Sequence, residues 1–63
     1  MAEKNFCWEV AKGIVDEIQA QEYYKDLIDL TDDEDIKNML RNNLQQENNH
    51  MKSLYKIFQD CSL

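Results

Sequence analysis

The chain has 63 residues, no proline, one glycine and a formal net charge of −6. This length allows one small domain, and a lone chain of this size hides only ~60% of its unfolded surface, so a disulfide, a metal or a partner subunit is expected to complete it. The composition excludes a turn-rich β domain, and the charge argues against nucleic acid or an anionic membrane as partner.

From Asn5 to Leu30 the apolar residues recur at helical spacing. Val10, Ile14, Tyr24 and Ile28 form one stripe, flanked by Ala11, Ile18 and Leu27, with Asn5 as the expected N-cap. Gly13 interrupts this helix at a cost of ~1 kcal/mol relative to alanine, which close approach of a neighbouring helix would explain and chance would explain as well. Thr31 to Glu34 reads as a capping box that starts a second helix, so the acidic run there is a helix start. It lacks the pattern of an EF-hand calcium loop.

The second helix is expected from about Asp32 to Asp60. Its stripe is Ile36, Leu40, Leu44, Met51, Leu54 and Phe58, with Met39 and Ile57 beside it. The short connection makes the two helices antiparallel neighbours, and the single seam leaves apolar faces half exposed. The expected fold is an all-α hairpin, one domain over residues 1–63 with helices at about 5–30 and 32–60. A second hairpin would complete a four-helix bundle. Trp8, Phe6 and Phe58 are expected as core at the open end.

Each stripe holds a glutamate where its pattern calls for an apolar residue: Glu17 in the first and Glu47 in the second. An unpaired carboxylate is costly to bury, so each needs a compensating partner. Glu17 and Glu47 both lie 15 residues from position 32, the expected apex of the hairpin. At the rise of a helix, both stand ~22 Å from the turn and level with each other. His50 follows Glu47 by three residues and shares its face.

Two hairpins related by a twofold axis would bring together two single glutamates and two Glu-x-x-His pairs. That is the ligand set of the di-iron carboxylate bundles. Four carboxylates balance two divalent cations. Oxygen and imidazole donors suit iron, and manganese or zinc could replace it. The plain alternative places Glu17, Glu47 and His50 at the wet edge of a loose hairpin dimer. Glu22, nearer the turn, is read as a solvated or intersubunit residue. Tyr24 is read as core, with its hydroxyl within reach of a site carboxylate.

The stretch Asp-Glu-Ile-Gln-Ala-Gln-Glu-Tyr-Tyr from Asp16 to Tyr24, followed by Glu47-Asn-Asn-His50, resembles the encapsulated ferritins. These are the two-helix half-ferritins of the ferritin-like superfamily. The match runs from Asp16 to His50 without a gap, a little over half the chain. The family's iron ligands fall on Glu17, Glu47 and His50, and an aromatic pair falls on Tyr23 and Tyr24.

The resemblance implies rings of dimers, a site shared between subunits, and oxidation of Fe(II) with oxygen or peroxide as acceptor. Asp16 matches an acidic residue that helps iron enter, while Gln19 stands where a further glutamate is expected. The resemblance also brings an encapsulin shell, a protein nanocompartment, as partner. The family's C-terminal extension and targeting tail do not appear before Leu63, so the residues give that partner no support. Rubrerythrins fit less well because two cysteines cannot build their four-cysteine iron site, and full ferritins need four helices in one chain.

A ferroxidase in iron storage or detoxification is therefore the leading expectation. A non-catalytic helical assembly module and a peroxide-scavenging di-iron protein are its rivals. The sequence shows neither a long apolar span nor a signal-peptide core, so a cytoplasmic protein is expected. Cys7 and Cys61 match no zinc or redox motif and are expected as free thiols. Their unequal distances from the apex argue against a bridge within one hairpin.

Overall fold

A computed structural model describes residues 2–61, with side chains from Asn5 onward. Helix α1 runs from Ala2 to Leu30 and α2 from Glu34 to Cys61. They pack against each other as an antiparallel rod with extents of 49 × 14 × 12 Å. Among the described residues, no helix is long and apolar enough to cross a membrane.

The expected boundaries shift at both ends. Asn5 lies inside α1, so it is not an N-cap. The start of α2 is also built differently from the expected capping box. Asp33 is the N-cap: its Oδ1 accepts the amides of Asp35 (2.9 Å) and Ile36 (3.2 Å), and its carbonyl accepts the amide of Lys37 (2.9 Å). The Thr31 hydroxyl instead accepts the amide of Asp33 at 3.2 Å, within the connection. Both residues are good cap types, and a carboxylate is favoured over a hydroxyl at the positive end of a helix.

The seam follows the predicted stripes. Val10 is buried, and Ile14, Glu17, Gln21, Tyr24 and Ile28 on α1 are half-buried. On α2, Leu40, Leu44, Glu47, Met51, Leu54 and Phe58 are half-buried. Ile36, Met39 and Ile57 stay exposed, as do Phe6 (55%) and Trp8 (67%), so the open end is not the core expected of it. Two helices form one seam, and a seam has no second layer to cover its flanks.

The open end carries the largest departure from expectation. Cys7 and Cys61 form a disulfide with their Cα atoms 5.7 Å apart. Helix axes lie 8–10 Å apart, but each Cα sits ~2.3 Å off its axis, so facing Cα atoms come much closer than the axes do. Side chains also lean toward the N-terminus of their own helix. On α1 that direction is away from the turn, and on α2 it is toward the turn. A partner on α2 can therefore lie farther along the chain from the turn than its partner on α1, although Glu17 and Glu47 meet at equal distances from it. Cys61 meeting Cys7, Leu54 meeting Gly13 and Met51 meeting Gln21 all follow this offset. The bridge closes a loop with a sequence separation of 54 and clamps the end that the turn does not.

Candidate metal centre

Glu17 comes from the middle of α1, and Glu47 and His50 come from adjacent turns of α2. One ligand atom from each lies within 4.8 Å of the others. His50 Nδ1 is 4.0 Å from Glu17 Oε1 and 4.0 Å from Glu47 Oε1. The side chains of Glu17 and Glu47 are 20% and 23% exposed, whereas that of His50 is 61% exposed. The carboxylates thus sit in the seam, and the imidazole stands at its rim, facing out of the hairpin.

Among the described residues, Glu17 Oε2 is a buried polar atom with no hydrogen-bond partner. The Glu47 carboxyl, with which Glu17 can share a proton, pushes the Glu17 carboxyl above the usual carboxylate range. Burial adds to this, as does the charge repulsion from Glu47, and Asp16 contributes in the same sense. His50 acts in the opposite direction and does not outweigh them. The layer is short of positive charge relative to its carboxylates.

A divalent cation would supply it. The 4.0 Å separations leave room for one small cation among the three donor atoms. Two carboxylates and an imidazole suit iron, manganese or zinc. The donor set fits a metal, and three donors leave further coordination positions open.

The other residues singled out in the sequence fall outside this cluster. Asp16 is exposed beside it and acts on Glu17 through its charge alone. Tyr24 is half-buried with its ring tilted against Tyr23, centroids 5.7 Å apart. No hydrogen bond joins its hydroxyl to the cluster among the described residues. Glu22 is exposed, pairs with Lys25 at 3.6 Å, and lines an open depression of 280 Å³ with Ile18, Gln21 and Met51. Gln19 is exposed.

Sequence reasoning missed one feature of the seam. The Gln21 amide donates to Met51 Sδ at 3.5 Å, one turn from Glu17. Gln21 was visible as a polar residue on the stripe, but nothing in its spacing pointed to a sulfur acceptor.

No protein-family model, characterised protein or solved structure matches this chain. A functional reading therefore rests on the residues of the cluster and on their spacing.

Proposed function

We propose that this hairpin pairs with a second copy to form a di-iron ferroxidase centre of the encapsulated-ferritin type. The observation that carries the reading is the Glu17–Glu47–His50 cluster, with its uncompensated carboxylate in the seam and its imidazole facing outward. A twofold partner placed over this face would double the set to four carboxylates and two imidazoles, enough for two divalent ions. The exposed apolar residues on the flanks, including Ile36, Met39 and Ile57, favour such a partner, because a lone hairpin buries little apolar surface.

In this reading Fe(II) is the substrate. Glu17 and Glu47 would hold the ions through their carboxylates, and each His50 would hold one through a ring nitrogen. Two Fe(II) ions each give one electron to dioxygen, which takes up two protons and leaves as hydrogen peroxide. The same ligands could serve with peroxide as the acceptor. Manganese or zinc would occupy the site without this turnover. The Cys7–Cys61 bridge bears on the compartment, since a cytoplasmic protein would keep it only where the surroundings are oxidising enough.

The test is anaerobic addition of Fe(II) to the metal-free protein, followed by air. The reading predicts ferric absorbance that rises much faster than in buffer and saturates near one iron per chain. An oxidation rate equal to that in buffer would refute the enzyme and favour a helical assembly module.

A further inference from the structure

We propose that Gly13 is a positioning residue that sets the width of the seam at the metal layer. This rests on the metal reading above. Gly13 lies four residues before Glu17 on α1, and Leu54 lies four residues after His50 on α2, so the two meet in the layer next to the cluster. A Cβ built on Gly13 would stand 3.2 Å from Leu54 Cδ1. Carbon atoms prefer 3.5–4.0 Å, so a methyl there would push the helices apart by a few tenths of an ångström or turn Leu54 out of the seam.

Glycine has no conformational reason to be here. Its φ is not positive, and it sits deep inside a 29-residue helix, where glycine weakens the helix. What it provides is the close approach of Leu54. That approach matters most at the neighbouring layer. His50 Nδ1 and Glu17 Oε1 are 4.0 Å apart, and both must reach the same cation. A seam opened by a few tenths of an ångström lengthens that separation and draws Glu17, the one ligand on α1, away from a cation held by Glu47 and His50. On the other side, the Gln21–Met51 contact leaves that opening unopposed, because a thioether can follow a moving amide.

The experiment uses the full chain and Co(II) as probe, comparing the parent, Gly13→Ala, Leu54→Val and the double variant. Circular dichroism reports helicity, and visible absorption reports both affinity and coordination geometry. Gly13→Ala should keep its helicity, since alanine favours the helix. It should nevertheless bind Co(II) about tenfold more weakly, with altered bands. The double variant should regain the parent's affinity and bands, because valine lacks the Cδ1 that the new methyl meets.

Parent-like Co(II) binding by Gly13→Ala would overturn the proposal. So would a folded double variant that still binds weakly, and this outcome decides the matter even if Gly13→Ala alone does not fold. Metal-free crystal structures separate the spacing role from the metal reading. The His50 Nδ1–Glu17 Oε1 separation should exceed the parent's in Gly13→Ala, whether or not the parent takes up Co(II), and an unchanged separation would overturn the spacing role. A parent that takes up no Co(II) would overturn the metal reading instead.

Discussion

Two neighbouring layers of the same seam treat their polar residues in opposite ways. Gln21 sits on the α1 stripe and meets Met51, and the amide and the sulfur satisfy each other without charge. One turn away, Glu17 meets Glu47, and the pair leaves a buried oxygen without a partner and a carboxyl with a raised affinity for protons. A polar residue tolerated for packing alone would be expected to look like Gln21, because a half-satisfied buried network costs more than an apolar one. The Glu17 layer is left incomplete in the way a cation would complete it.

The strongest way to break this comparison is to remove one member from each layer. Glu17→Ala, Glu47→Ala and His50→Ala should each lower the rate of Fe(II) oxidation by at least ~100-fold while the far-ultraviolet helical signal stays intact. Gln21→Ala and Glu22→Ala should stay within a few-fold of the parent in the same stopped-flow assay. Loss of activity in Glu22→Ala with retention in Glu17→Ala would show that the two layers have been assigned the wrong roles.

The disulfide offers a change that touches neither layer directly. Its loop is long enough that the chain-entropy model gives up to ~4 kcal/mol of stabilisation. The Cys7→Ser/Cys61→Ser double variant should therefore unfold at lower denaturant concentration, with both layers lost in a single transition. If it keeps the parent's midpoint, the clamp at the open end contributes little and the seam holds itself closed.

The smallest effect sharpens the electrostatic half of the comparison. Glu17 binds its proton more tightly in the folded chain than at its ordinary value of 4.5. Between that value and the raised one, the folded state holds more protons than the unfolded state. Metal-free stability from this group is therefore highest below 4.5, falls as pH rises through the raised value, and then stays level. Glu17→Gln removes this slope, and its amide can donate to Glu47. The metal-free variant should be more stable than the parent at neutral pH, by on the order of 1 kcal/mol. Thermal melts of both proteins across pH would show it, and parallel curves would contradict the raised proton affinity.

Most of the fold was legible because helical periodicity is local. The stripes at Val10–Ile28 and Leu40–Phe58 became the seam, and the level match of Glu17 with Glu47 became a cluster that includes His50. The start of α2 was misassigned to Thr31 because Thr31 and Asp33 both carry cap-forming oxygens, and only the backbone decides which one is used. The disulfide was missed for a geometric reason. Counting residues from an apex ignores the lean of side chains toward each helix N-terminus, and it treats the distance between axes as a distance between Cα atoms. Phe6 and Trp8 were expected in a core, but a single seam cannot provide one.

The central claim is that the Glu17 layer is half of a site, completed by a second hairpin and by metal. Sedimentation velocity at low protein concentration, with and without anaerobic Fe(II), tests it most directly, because metal that binds only the assembled form drives assembly by mass action. The account predicts that Fe(II) shifts the chain from monomer toward dimer or larger species, with about one iron bound per chain. Stoichiometric iron on an unchanged monomer would contradict it.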